Sequence, residues 1–128
     1  MEGKLLLRGK SLLVDLYDCS RSLLQDVDRQ YKLLVELPNR IGMTVISAPQ
    51  IARWDLPQAN KKEEWGYSGT VLFAESHCYF HSWPEYRYVM WDITSCKDFD
   101  HKMVVDNLKI QFGAKKAVPH IIERGEWF

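Results

Sequence analysis

The chain has 128 residues, 46% of them apolar, and this is enough to fill the core of one compact domain. Lysine and arginine together number 17, as do aspartate and glutamate, so the formal net charge is zero. Nucleic-acid binding generally needs a surplus of basic charge. We therefore expect small molecules or other protein chains as partners, and no nucleic acid.

The apolar runs near the N-terminus are short. Charged residues interrupt them before the length of a signal peptide or a membrane span accumulates, so no membrane association is expected. The three cysteines, Cys19, Cys78 and Cys96, are odd in number and lack short paired spacing. This argues against a disulfide framework or a zinc knuckle. We expect a cytoplasmic protein with free thiols.

The first predicted elements are a strand and a helix. Residues 11–17 are apolar and form a short run typical of a strand, and residues 18–20 supply hydroxyl and carboxylate caps for a helix. Apolar residues then recur at helical spacing until Pro38, where the helix is expected to end. The predicted apolar stripe consists of Leu23, Leu24, Val27, Tyr31, Leu34 and Val35.

The middle of the chain predicts mainly strands. Residues 43–47 form a second apolar run, and the polar segment 48–64, with its prolines and charges, predicts a long loop. Residues 68–74, 78–82 and 86–94 are rich in β-branched and aromatic side chains. Their short connections predict antiparallel hairpins.

A second helix and a last strand complete the chain. Asp98 or Asp100 can cap the helix, Gly113 offers a left-handed C-terminal cap, and residues 117–123 form the strand. The predicted fold class is α+β, a two-layer sandwich in which an antiparallel sheet carries two helices on one face. The other face, rich in Trp and Tyr, would then be open to a partner. The apolar stripe of this helix consists of Val104, Val105, Leu108 and Phe112.

Serines, histidines and cysteines concentrate between residues 66 and 96. Ser76, flanked by Glu75 and His77, suggests a hydrolase nucleophile only weakly, because the glycine-flanked elbow of many serine hydrolases is missing. His77 and His81 would lie roughly 13 Å apart on a strand, which is too far for one ion. No metal site is predicted.

Several motifs together resemble bacterial-type S-adenosylmethionine decarboxylases in order and almost in spacing. Four of these motifs lie between residues 66 and 96 and resemble the active-site segment of that family. The other two lie at residues 16–19 and 120–125 and resemble the end of its first strand and its final strand. The resemblance thus spans most of the chain. The motifs are GYSG at 66–69, AESH at 74–77, FHSWPEY at 80–86, DITSC at 92–96, LYDC at 16–19 and HIIERG at 120–125.

This resemblance implies a single-domain proenzyme, residues 1–128, that cuts itself between Glu75 and Ser76. The products would be a β chain, residues 1–75, and an α chain, residues 76–128. Ser76 would become an N-terminal pyruvoyl group, the cofactor that condenses with the substrate amine and accepts the electrons left by carbon dioxide. The implied activity is decarboxylation of S-adenosylmethionine for spermidine synthesis.

The resemblance also implies roles for five further residues. Ser68 and His81 match residues that assist self-processing, and His81 suits proton transfer near neutral pH. Cys96 matches the acid that returns a proton to the substrate α carbon. Glu85 matches the carboxylate that binds the ribose hydroxyls, and Trp54 matches an aromatic residue that stacks on adenine.

Spacing adds a prediction about Ser68 and His81. Both are equally far from a turn at residues 74–75, so they would be opposed across the hairpin. Each would then lie roughly 15 to 20 Å from Ser76. We therefore hypothesise that they act on Ser76 of a second protomer in a homodimer; a sharp bend within one chain is the alternative.

Two other functions remain open at the level of sequence. Extra residues around 55–65 border the expected substrate pocket, so a pyruvoyl enzyme acting on arginine or ornithine is one alternative. A binding module that keeps the fold without self-cleavage is another. Each candidate site residue, considered alone, also has an ordinary structural explanation. The serines could be hydroxyls on a strand, Cys96 a small core residue, Glu85 a solvated carboxylate in a turn, and the aromatic residues packing groups of the sheet.

Overall fold

The computed structural model describes residues 9–57 and 63–125. Within these ranges, seven strands form one antiparallel sheet and three α-helices accompany it, which confirms the predicted α+β class. The strands are β1 (Gly9–Tyr17), β2 (Thr44–Val45), β3 (Gln50–Pro57), β4 (Glu63–Ala74), β5 (Ser76–Trp83), β6 (Tyr88–Ser95) and β7 (Lys116–Arg124), and the helices are α1 (Arg21–Leu24), α2 (Val27–Arg40) and α3 (His101–Gln111).

The order of strands across the sheet places β1 and β7, the first and last strands described, side by side. β4, β5 and β6 follow one another as a meander, β6 pairs with β1, and β1 pairs with β7 at one edge. At the other edge β4 pairs with β3 along its first part and with β2 at its end. Every one of these pairings is antiparallel.

The core lies between one face of the sheet and the helices α2 and α3. Leu12, Val14 and Leu16 alternate along β1 and are buried, and on neighbouring strands Phe80 stacks on Trp91 with ring centroids 5.5 Å apart. Each such side chain contributes roughly 1.5–3 kcal/mol when it leaves water. The opposite sheet face has no layer over it within residues 9–57 and 63–125, as the sequence predicted.

The first helix is interrupted, which the sequence did not predict. α1 ends at Leu24 with Gln25 as its C-cap, and Asp26 starts α2, because its carboxylate accepts a hydrogen bond from the Arg29 backbone nitrogen at 3.1 Å. The restart turns Val27 and Tyr31, expected in the apolar stripe, toward solvent with exposures of 36% and 42%. Pro38 lies inside the last turn of α2 and does not end it.

The predicted loop at residues 48–64 is wrong over much of its length. Gln50–Pro57 forms β3, which pairs with β4 from Gln50 opposite Thr70 to Pro57 opposite Glu63. Four of the six residues 50–55 are exposed, and polar and apolar side chains mix along β3 without the inward-outward alternation from which a strand could be recognised. The rest of the predicted loop, residues 58–62, lies outside the described residues. β2 is also shorter than the predicted strand at 43–47.

α3, the second helix predicted from the sequence, begins directly after Asp100, which is one of its two predicted caps. The Asp100 carboxylate accepts a hydrogen bond from the Met103 backbone nitrogen at 3.1 Å and starts α3, whereas Asp98 pairs with Lys10. Gly113, with φ of +60°, follows the end of the helix, as predicted. No helix in the described part of the chain is long and apolar enough to cross a membrane.

Candidate active site

β5 carries two of the predicted site residues on opposite faces of the sheet. Cys78, Phe80 and Ser82 are buried beneath the helices, and Ser76 shares their face because side chains alternate along a strand. His81 points to the open face. It lies five positions beyond Ser76, or roughly 16 Å along the strand.

Ser76 lies where the β4–β5 turn enters β5. It is opposite Phe73 on β4 and Ser95 on β6, both buried, while the preceding Glu75 is exposed. Within the described residues the Ser76 hydroxyl is buried and has no hydrogen-bond partner. An unpaired buried hydroxyl is rare in a folded protein, since it loses its bonds to water without replacement.

Cys96 follows β6 and lies at the same end of the sheet as Ser76. It is exposed and lines a cavity of about 330 Å³ together with Lys10 and Asp98. Lys10 Nζ lies 2.6 Å from Asp98 Oδ1, and this hydrogen bond is the main reason that the pKa of Asp98 is lowered. The same amine donates to the Phe99 carbonyl oxygen at 3.0 Å and so anchors the segment that carries Cys96.

Ser68 and His81 are direct cross-strand partners, which confirms the predicted register. Ser68 Oγ lies 2.7 Å from His81 Nδ1, a short hydrogen-bond distance. Both line a cavity of about 400 Å³ on the open face, and Tyr79 packs edge-on against the His81 ring at 5.4 Å. The pair is therefore preformed and accessible.

A glycine allows the strands to approach closely beside this pair. A β-carbon at Gly66 would lie 1.8 Å from the backbone oxygen of Ser82, so no larger residue fits without moving the backbone. Ser82 Oγ accepts a hydrogen bond from the Tyr67 backbone nitrogen at 3.1 Å at the same place. Gly66 thus helps to set the distance between the strands that carry Ser68 and His81.

Trp54 reaches this end of the site from β3. Its ring meets the ring of Trp83 edge-on at 5.9 Å, and Trp83 lies 6.1 Å from the His81 ring. The extended β3–β4 hairpin is further braced by Arg53, whose guanidinium lies 4.1 Å from the ring centre of Trp65. Residues 55–57 and 63–65 therefore continue β3 and β4 as paired strands beside the site.

Glu85 lies in a one-turn 3-10 helix, Pro84–Tyr86, between β5 and β6. Arg21 Nη2 donates a hydrogen bond to Glu85 Oε1. Next to this turn, a cavity of about 460 Å³ is walled mainly by aromatic rings, with one carboxylate at its edge. Its lining residues are Tyr17, Glu64, Trp83, Tyr86 and Tyr88.

The open face carries a polar network that sequence reasoning missed. Tyr88 donates to Asp15 Oδ1 at 2.6 Å, and burial followed by this hydrogen bond raises the pKa of the Tyr88 phenol. A hydrogen bond to Asp92 is likewise the first cause of the raised pKa of Tyr79. One signal was present in the sequence: Asp15 is a single carboxylate inside an apolar strand, and such a residue needs a partner.

Comparison with known proteins agrees with this architecture. Residues 10–125 match the family model described as S-adenosylmethionine decarboxylase. The chain belongs to this family. The crystal structure of the adenosylmethionine decarboxylase from Aquifex aeolicus is similar with a TM-score of 0.68 at 25% identity, covering 91% of this chain and 90% of that one.

Two relatives named S-adenosylmethionine decarboxylase proenzyme are similar over most of their length. The protein from Acidithiobacillus ferrooxidans is 30% identical over 119 residues, covering 92% of this chain and 83% of the relative. The protein from Clostridium botulinum is 31% identical over 119 residues, covering 92% and 95%. The resemblance seen in the motifs is thereby confirmed.

In this member of the S-adenosylmethionine decarboxylase family, the predicted site residues form two groups. The Ser76 group, Ser76 and Cys96, lies at one end of β5 and β6, and Glu75 adjoins it in the turn. The His81 group, comprising Trp54, Ser68, His81 and Glu85, lies at the other end. β5 runs without interruption from Ser76 to Trp83, so the bend that would bring the groups together in one chain is absent.

Proposed function

We propose that this chain is a self-cleaving proenzyme whose processed form decarboxylates S-adenosylmethionine. The observation that carries the proposal is the buried hydroxyl of Ser76, which has no hydrogen-bond partner within the described residues and directly follows the β4–β5 turn. Leaving such a group unpaired costs on the order of 1–3 kcal/mol. Because the Ser76 hydroxyl is unpaired, we propose that its role is chemical: it attacks the carbonyl carbon of Glu75.

The cleavage uses only atoms of the chain, a water molecule and proton transfer. Ser76 Oγ attacks the carbonyl carbon of Glu75, and the amide becomes an ester as the Ser76 nitrogen gains a proton. Removal of the Ser76 α-proton expels the Glu75 carboxylate and leaves a carbon–carbon double bond. Water then releases ammonia, and residues 76–128 begin with a pyruvoyl group. His81, held by Ser68, is the proposed proton carrier.

A pyruvoyl group suits this position, because the Ser76 hydroxyl is not needed by any hydrogen bond found in the described residues. When formed, the group supplies the electron sink for loss of the substrate carboxylate. Cys96, next to the strand partner of Ser76, is the proposed proton donor to the substrate α carbon. Glu85 is proposed to accept hydrogen bonds from the ribose hydroxyls, and Trp54 to stack on adenine.

The distance between the two groups supports a homodimer in which each site is shared. Within one chain His81 and Ser76 are separated by roughly 16 Å and face opposite sides of the sheet. A twofold contact makes both sites equivalent, because the same two surfaces meet twice. We propose that Ser68 and His81 of one protomer act on Ser76 of the other.

We also propose a cytoplasmic location. All three cysteines are free thiols, two of them buried and Cys96 exposed. An exposed thiol that must remain reduced to donate a proton suits a reducing compartment.

Intact-protein mass spectrometry tests the self-cleavage. We expect two fragments divided before Ser76, the C-terminal one blocked to amine sequencing and reactive toward a hydrazide probe, whereas Ser76→Ala stays whole. A folded wild-type chain that stays whole contradicts self-cleavage. Release of carbon dioxide from carboxyl-labelled S-adenosylmethionine, with arginine and ornithine as comparison substrates, then tests the substrate separately.

A further inference from the structure

The turn that carries Glu85 is held mainly by contacts from neighbouring segments, because its own backbone contributes little. It is a single 3-10 turn closed by one hydrogen bond, from the Arg87 nitrogen to the Pro84 oxygen at 3.2 Å. A turn this short has little intrinsic stability, since helical structure gains stability only with length. A carboxylate placed there needs other contacts to have a fixed direction.

Two neighbouring segments provide those contacts. The Cys19 backbone nitrogen donates to the Arg87 oxygen at 3.0 Å, which ties the start of α1 to the residue after the turn. On the other side, the Tyr86 hydroxyl donates to Glu64 Oε1 at 3.3 Å. The backbone that precedes Arg21 and the turn that carries Glu85 are therefore one connected unit.

Arg21 is itself placed by a fixed backbone. It is the first residue of α1, and the preceding Ser20 caps that helix by accepting a hydrogen bond from the Leu23 nitrogen at 3.4 Å. The Ser20 nitrogen donates to the Phe112 oxygen at 2.9 Å, which joins this segment to the end of α3. The guanidinium thus starts from a defined position when it reaches Glu85.

The contact occupies only one carboxylate oxygen. Arg21 Nη2 donates to Glu85 Oε1, and no residue of ranges 9–57 and 63–125 hydrogen-bonds Oε2. An ionised carboxylate can accept about four hydrogen bonds, so Oε2 retains its capacity for a ligand hydroxyl. The planar guanidinium of arginine donates hydrogen bonds in fixed directions, whereas the ammonium of a lysine is a compact charge on a flexible stem.

We propose that Arg21 is a positioning residue for ligand recognition: it fixes one oxygen of Glu85 so that the other is aimed at the ribose hydroxyls. This rests on the proposed role of Glu85 and adds a residue that does not itself touch the substrate. The strength of an exposed ion pair is small, so the expected effect lies in orientation and not in the stability of the fold.

The test uses the processed enzyme and measures binding of two ligands, methylthioadenosine and its 2′,3′-dideoxy analogue. We expect Arg21→Gln to weaken binding of methylthioadenosine by about tenfold, the equivalent of one ordered hydrogen bond, and to change binding of the dideoxy analogue by less than about twofold. Arg21→Lys should recover part of the difference, because it restores the charge without the planar donor. Arg29→Gln, on the outer helix layer, is the matched control and should leave both affinities unchanged.

Equal weakening of both ligands by Arg21→Gln would show a merely structural effect and overturn the proposal, as would no change in either. Glu85→Gln separates this from the proposed function. If Glu85→Gln keeps the full preference for the ribose hydroxyls, the role of Glu85 is wrong and the inference falls with it. If Glu85→Gln abolishes the preference and Arg21→Gln retains it, only the role of Arg21 is wrong.

Discussion

Ser76 and His81 lie on the same strand, five positions apart, with side chains on opposite faces of the sheet. The hydroxyl that would be transformed therefore points beneath the helices, whereas the histidine that would move its proton points to the open face. An odd separation on a strand always produces this arrangement. One chain thus contains both the reacting hydroxyl of Ser76 and the proposed proton carrier His81, but does not bring them together.

Removing the histidine of the processing pair should slow self-cleavage. We expect His81→Ala to reduce the rate by about 100-fold or more, because proton transfer by a positioned side chain contributes this much. Ser68→Ala should also slow cleavage, through loss of the 2.7 Å contact that orients the ring. Gel electrophoresis over time measures the cleaved fraction. His101→Ala, on α3, is the control, and cleavage of His81→Ala at the wild-type rate would contradict the assignment.

Replacing the proposed proton donor should separate cleavage from turnover. We expect Cys96→Ser to be cleaved before residue 76 and to lose about 100-fold in kcat, because a serine hydroxyl is a far weaker acid than a thiol. Mass spectrometry checks the first statement and carbon dioxide release the second. A Cys96→Ser enzyme with undiminished kcat would remove Cys96 from the reaction.

The three thiols should differ sharply in reactivity. Burial raises the pKa of both Cys19 and Cys78 to about 12, so at about pH 8 these thiols stay protonated and unreactive. We expect iodoacetamide to modify Cys96 alone in the folded protein and all three cysteines in guanidinium chloride. Peptide mapping identifies the modified residue, and rapid labelling of Cys78 in the native state would refute the burial.

The close approach of β4 and β5 should tolerate no side chain at its narrowest point. Gly66→Ala places a β-carbon 1.8 Å from a backbone oxygen, and we expect a loss of about 3 kcal/mol or more in the free energy of unfolding. Gly42→Ala is the comparison, since its β-carbon meets nothing within 4 Å and only its φ of +80° opposes the change. That substitution should cost about 1–2 kcal/mol. Denaturant unfolding distinguishes the two, and equal losses would count against the steric argument.

Local signals in the sequence were sufficient for much of the fold. The symmetry of Ser68 and His81 about residues 74–75 predicted their pairing, because a tight turn fixes the register of both strands. The cap at Asp100 and the left-handed position of Gly113 were also readable, since each depends on only a few neighbouring residues.

Other features depend on contacts distant in the sequence and could not be predicted in this way. β3 is an edge strand defined by its pairing with β4, and its mixed polar and apolar side chains, flanked by prolines and charged residues, predict a loop when taken alone. The hydrogen bond between Arg21 and Glu85 joins residues 64 positions apart. The helix restart at Asp26 depends on a side chain competing successfully for a backbone nitrogen, which many aspartates within helices do not do.

Co-expression of differently tagged Ser76→Ala and His81→Ala chains, followed by isolation of the mixed dimer, tests most directly whether two copies complete each site. The His81→Ala chain should then be cleaved before Ser76, because its partner supplies Ser68 and His81. Pairing the His81→Ala chain with a Ser76→Ala/His81→Ala chain should give no cleavage. A His81→Ala chain that stays intact in the isolated mixed dimer would contradict the shared site.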